Sequence, residues 1–109
     1  MTVYRPSAFR TATVRPFVEQ AQEIVQSFDF NKSVTTRHFQ ERLSERNINA
    51  DKISEKRFRK GYIFEIKVEN GYLSRIGVSF VYSKKTKICM VIGLGTKETA
   101  VLTVWLKEE

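Results

Sequence analysis

The hydrophobic pattern changes period once along the chain, near residue 60. Before it, apolar residues recur three or four apart, as on one face of a helix; after it they alternate, as on a strand. Pro16 suits the first turn of a helix. Phe17, Ala21, Ile24, Val25 and Phe28 then share one side, with Gln20, Glu23 and Gln26 turned away. Asp29 to Ser33 reads as a turn. A second helix runs from Thr35 or Thr36, whose hydroxyl can cap its first amides, to Arg46, with Phe39 and Leu43 as its buried stripe. Asn47 and Asn49 end it, because asparagine tolerates the left-handed conformation of a helix exit. A third, short helix is predicted from Asp51, as its cap, to Lys60. Ile53 and Phe58 anchor it and Gly61 stops it.

In the second half, Tyr62, Phe64, Ile66 and Val68 alternate with Ile63, Glu65 and Lys67. Asn70-Gly71 is a strong hairpin signal, since both positions tolerate positive φ. The returning strand spans Tyr72 to Tyr82, and Gly77 within it marks a bulge or a close approach. Ser83 to Thr86 turns again. Ile88 to Ile92 is almost wholly apolar, as a central strand buried on both faces would be. A turn over Gly93 to Lys97 and a last strand from Thr99 to Leu106 complete the pattern. The expected fold is α+β, with two to three N-terminal helices packed on one face of a four-stranded antiparallel meander sheet. One domain is expected over residues 1–109. It divides into a basic lead-in at 1–13, a helical half at 14–60 and the antiparallel sheet at 61–107.

Composition narrows the class. A chain of 109 residues with 41% hydrophobic and 28% charged residues suits one globular core. The net charge of +7 is uneven: residues 1–60 hold twelve basic and seven acidic side chains, a net +5, and the rest hold seven and five. Such a field favours a polyanionic partner, RNA (tRNA included) or an acidic protein. Cys89 is the single cysteine, which excludes an internal disulfide and a thiolate zinc site; its apolar surroundings indicate a buried structural thiol. Arg5, Arg10 and Arg15 interrupt any apolar leader, and no stretch reaches the roughly 20 apolar residues of a membrane span. A cytoplasmic protein without a membrane partner is expected.

The chemistry-bearing residues are few. The chain has no phosphate-binding glycine loop, no dinucleotide fingerprint and no acidic cluster for paired metal ions, so no cofactor or metal is expected. The lone histidine, His38, lies on the second helix. At about 100° per residue, Arg42 and Arg46 follow it one and two turns on, forming a ladder along the edge of the buried face, towards the sheet rim. Imidazole moves protons near neutral pH, and guanidinium groups hold phosphate. RNA is cut this way without metal, its own 2′-hydroxyl attacking the adjacent phosphorus. Equally, Glu41 and Glu45 can pair with the arginines and leave His38 a local hydrogen-bonding role. Thr103 and Trp105 share a face of the last strand, Trp105 as core residue or stacking platform. Arg75 and Lys67 are the sheet's basic candidates. Arg37, Arg57, Arg59, Lys60, Tyr82, Lys84 and Lys85 complete the candidate nucleic-acid contacts, the last two at a hairpin tip with Lys87 beside them, as phosphate contacts or a solvated turn.

The run His38-Phe39-x-x-Arg42-x-x-x-Arg46-Asn47-Ile48, with the closing Val101-Leu102-Thr103-Val104-Trp105, resembles the DUF4258 group of small bacterial and phage domains over roughly residues 36–106. That group is placed with the barnase–EndoU–colicin–RelE (BECR) superfamily of metal-independent ribonucleases and toxins. The resemblance implies a ribonuclease-like fold and a site of His38, Arg42, Arg46, Arg75 and Thr103. His38 would act as general acid or base, the three arginines would hold the scissile phosphate, and Thr103 would orient the substrate. The chain carries no second histidine. The alternatives are a non-catalytic phage or mobile-element inhibitor that docks its basic helical face on an acidic protein or nucleic acid, and a DNA-binding or antitoxin-like regulator built on the three helices.

Overall fold

The computed structural model describes residues 1–95 and 99–108. Its elements are β1 (Thr2–Tyr4), α1 (Arg15–Gln26), β2 (Val34–Thr35), α2 (Arg37–Glu45), α3 (Glu55–Arg59), β3 (Tyr62–Glu69), β4 (Tyr72–Ser83), β5 (Thr86–Leu94) and β6 (Thr99–Glu108). They build an α+β domain whose single sheet has the order β1-β3-β4-β5-β6-β2. The meander β3 to β6 is antiparallel as expected, but the sheet has six strands and is mixed. β1 pairs antiparallel with β3, and β2 pairs parallel with β6 through Val34 and Thr35. The lead-in at residues 1–13 therefore starts as an edge strand. Both added strands are too short, at three and two residues, for a period to show in the sequence. The turn expected over Gly93 to Lys97 falls partly outside the described residues. No helix among the described residues is long and apolar enough to cross a membrane.

The helices all lie on one face. α1 packs on β3 and β4, α3 on β4, and α2 on β6. The buried side of α1 is centred on Val18, Ala21 and Val25, continuing from Val14 to Phe28, while Phe17 and Ile24 flank it partly buried. Opposite stand Ile66, Ile76, Val78, Ile88, Met90, Ile92 and Val104, at most 1% exposed. Burying a side chain of that size contributes about 1.5–3 kcal/mol. The seal between the layers is aromatic: Phe58, wholly buried, has ring centroids of Phe28, Phe30 and Phe80 at 5.0, 5.5 and 5.4 Å.

The caps explain the helix boundaries. Thr36 Oγ1 accepts from the Phe39 amide at 3.1 Å and starts α2, and Asn47 at φ 52° ends it. The expected third helix divides in two. Asn49, not Asp51, caps a single 3-10 turn at Ala50–Lys52, and Ser54 caps the five residues of α3. Each short polar side chain holds a nearby amide and so interrupts a continuous helix. Asn70 and Gly71, at φ 53° and 79°, make the predicted tight hairpin. The expected alternation of β3 fails at its start. The register shifts between Ile63 and Glu65, so Ile63 and Ile66 face the helices while Phe64 turns to the opposite side. Phe64 lies over Gly77, where a Cβ would stand 2.6 Å from its ring; the close approach foreseen at Gly77 comes from an aromatic ring covering a glycine.

Candidate functional site

Helix α2 is fixed to the sheet at both ends. Thr36 Oγ1 donates to the Val101 carbonyl at 3.0 Å, just past the last pair made by β2, and Arg46 Nη1 donates to the Val104 carbonyl at 2.6 Å. The Val101 carbonyl also accepts from the Thr36 amide at 3.4 Å, so Thr36 holds this edge through both its backbone and its side chain. Arg46 is thus a rim contact, and its guanidinium is partly committed to the fold. His38 and Arg42 lie between these anchors. Arg42 Nε donates to His38 Nε2 at 3.3 Å, and Arg42 Nη1 pairs with Glu45 at 2.8 Å. Accepting at Nε2 requires a neutral imidazole with its proton on Nδ1. The neighbouring Arg37 pairs with Glu41 at 3.1 Å. The two readings of this helix coexist: the glutamates do hold arginines, and one of those arginines also holds the histidine.

Lys67, Arg75 and Thr103 lie on the other face of the sheet, the one without helices. Lys67 stands directly across from Arg75, and Arg75 from Gly93; Thr103 stands across from Val91, one row further along. Arg75 and Thr103 are two strands apart, roughly 10 Å in the hydrogen-bonding direction. Among the described residues, no side-chain hydrogen bond or ion pair joins either of them to α2. The five candidates of the catalytic set therefore occupy two places that meet at β6: His38 and Arg42 outside the rim, Arg75 and Thr103 on the uncovered face, with Arg46 between.

No protein-family model, curated protein or solved structure matches the chain.

The remaining candidates sort by what already holds them. Arg59 donates to the Phe28 carbonyl at 2.8 Å and pairs with Glu55 at 2.9 Å, so it staples α3 to the end of α1. The Tyr82 hydroxyl accepts from the Asn49 amide at 3.2 Å, on the covered side of the sheet. Arg57 and Lys60 are exposed at the end of α3, and Lys84 and Lys85 are exposed at the β4–β5 turn. Among the described residues, no group of three or more His, Cys, Asp or Glu side chains is placed to hold a metal ion.

The uncovered face holds a groove of about 490 Å³, lined by Arg5, Tyr62, Phe64, Lys87, Trp105 and Lys107. Trp105 is partly exposed and meets Phe64 edge to face, ring centroids 5.8 Å apart. Beneath them Cys89 is buried, as expected of a structural thiol. Burial pushes its thiol upward, offset in part by Lys107, a hydrogen bond with Ser79, and Lys87. Arg5 also reaches Glu65 at 3.5 Å. Arg5, Tyr62 and Lys107 were not singled out by sequence reasoning. The signal for Lys107 was present: Thr103, Trp105 and Lys107 continue one i, i+2 line. A smaller crevice of about 190 Å³ under α2, lined by Phe30, Phe39, Leu43 and Met90, is too apolar to suit phosphate.

Proposed function

We propose that the chain is a small RNA-directed protein whose α2 rim supports metal-independent endoribonuclease chemistry, in a toxin-like effector. The observation that carries this reading is the His38–Arg42 hydrogen bond on an exposed helix face. A phosphate entering there attracts the guanidinium of Arg42 and frees His38 Nε2. The imidazole then takes the proton of the 2′-hydroxyl as its oxygen attacks phosphorus. The P–O2′ bond forms and the P–O5′ bond breaks. The proton passes from the imidazolium to the leaving 5′-oxygen, giving a 2′,3′-cyclic phosphate and a 5′-hydroxyl. Arg42 offsets the charge that grows on the phosphoryl oxygens. Arg75, Lys67 and Thr103 hold the flanking strand on the uncovered face. The resemblance to the DUF4258 group and its BECR relatives agrees with this assignment. Purified protein incubated with total tRNA in EDTA tests it. Cleavage is expected, with a loss of about 10²-fold or more in His38→Ala. No cleavage by the wild type, or equal cleavage by the variant, sinks the catalytic reading.

A second reading is a non-catalytic inhibitor or regulator that binds nucleic acid or an acidic protein. It is favoured by the engagement of Arg42 with Glu45 and of Arg46 with the Val104 carbonyl, which commits both guanidinium groups to the protein, and by the exposure of His38. Under it, His38→Ala is silent and charge reversal at Arg42 or Arg57 abolishes binding.

A further inference from the structure

Two grooves adjoin at one exposed aromatic residue. The groove of the uncovered face, with Phe64, Trp105 and Lys107, shares Tyr62, Ser79 and Lys87 with a second groove of about 280 Å³ that ends at Arg57 and Lys60 of the α3 terminus. Tyr62 is 59% exposed, on a strand whose other large apolar side chains are at least partly buried. What sets Tyr62 apart is its place: its ring lines both grooves and is open to a ligand from either. Among the described residues, no carboxylate lines either groove, whereas cations line both: Arg5 beside β3 and Lys107 on β6 in the first, Arg57 and Lys60 in the second. Glu65, on the same strand as Tyr62 and Phe64, is held by Arg5.

We infer that the two grooves form one track for a single RNA strand, running from Trp105 on the uncovered face, past Tyr62, to the end of α3. This rests on the RNA-directed reading and adds the form of the ligand and its path. The chemistry selects an unpaired strand: aromatic faces interleaved with cations stack bases and neutralise phosphates, and a duplex keeps its bases stacked inside. An acidic polypeptide would use the cations and leave Tyr62 and Trp105 idle. The track also gives Arg57 and Lys60, which lie on the helix side of the sheet, the same ligand as Lys107 on the other side. Tyr62 reaches both because it sits at the first position of β3, next to Gly61 and Lys60, where the chain leaves α3 for the sheet.

Fluorescence anisotropy in EDTA with a labelled 2′-O-methyl RNA strand of about twelve nucleotides tests the track. That strand has no free 2′-hydroxyl and is not cut, so the result does not depend on whether His38 is catalytic. Tyr62→Ala is expected to weaken binding about fivefold or more. Arg57→Ala with Lys60→Ala is expected to lower the slope of log affinity against log salt by about 0.7 for each phosphate that is no longer neutralised. The duplex of the same sequence should bind more weakly and ignore Tyr62→Ala. All three positions are exposed or lie at element ends, and matching melting curves establish that the variants fold. Unchanged binding in Tyr62→Ala, or equal affinity for the duplex, overturns the track. Poly-glutamate binding with the same sensitivity to the variants assigns the grooves to an acidic protein and also overturns it. Cleavage of tRNA without any Tyr62 effect defeats the track alone; no binding to any strand defeats the RNA-directed reading with it.

Discussion

The two faces of the sheet are made from the same strands and do opposite work. The covered face presents Ile66, Ile76, Val78, Ile88, Met90, Ile92 and Val104 to the helices, all essentially without exposure. On the other face, Gly77, Cys89 and Val91 are also buried; Phe64 lies over Gly77, Leu102 over Gly93, and Trp105 stands across from Cys89, with Lys67, Arg75, Lys87 and Lys107 around the rim. Strand alternation sets neighbouring residues on opposite sides. A change at Trp105 or Lys107 therefore leaves Val104 and Leu106 in place, and the domain separates the residues of its core from those of the face that carries the groove.

The sharpest way to test that separation is to remove an aromatic ring from each side. Phe58→Ala deletes a wholly buried ring that touches three others and should cost about 3–5 kcal/mol in urea unfolding. Tyr62→Ala, at a 59% exposed position, should stay within about 0.5 kcal/mol of wild type in the same experiment. Comparable losses would mean that the uncovered face carries the fold as well.

Next in size is the rim where the faces meet. Thr36→Ala removes both the cap of α2 and the hydroxyl bond to Val101. A loss of about 1–2 kcal/mol is expected, read by the same denaturation. If Thr36→Ala costs nothing while lowering RNA cleavage, the threonine belongs to the ligand site and not to the seam.

What could be read from the sequence was whatever leaves a local trace. The change of period, the Asn70-Gly71 hairpin, a cap at Thr35 or Thr36, the Asn47 exit and the buried run Ile88–Ile92 all follow from side chains acting on their own backbone. β1 and β2 leave no trace because two or three residues show no period; long-range pairing with β3 and β6 makes them strands. The bulge at Phe64 shifts the face of β3 and hides that Ile63 shares the inward side with Ile66. The candidate site was legible residue by residue but not in its arrangement. Helical spacing gave the His38–Arg42 contact, since i, i+4 neighbours touch. No local rule shows that Arg46 and Arg59 are drawn to the backbone carbonyls of Val104 and Phe28, or that Tyr62 and Lys107 share one groove.

Gly77 offers a smaller effect with a direct optical reading. A methyl group there meets the far end of the Phe64 ring, which can swing away, so Gly77→Ala should cost under about 1 kcal/mol. The displaced ring moves off the edge of Trp105, the only tryptophan, and the emission of that residue should shift. RNA affinity should fall with it. An unchanged spectrum with weaker binding would place the strand away from Trp105.

The smallest expected effect concerns Cys89, beneath the same groove. Burial raises its thiol above the usual range, so the folded state keeps this proton at a pH where the unfolded chain has lost it. The contribution is complete below the ordinary thiol value and is lost as pH rises through the higher folded value. Wild-type stability should therefore decline with alkaline pH more steeply than that of Cys89→Ala, even though the variant is less stable at neutral pH. Lysines and tyrosines titrate in the same region, and only the difference between the two curves reports on Cys89. Parallel curves would mean that water reaches the thiol from the uncovered side, and that Phe64, Leu102 and Trp105 seal this face less tightly than the helices seal the other.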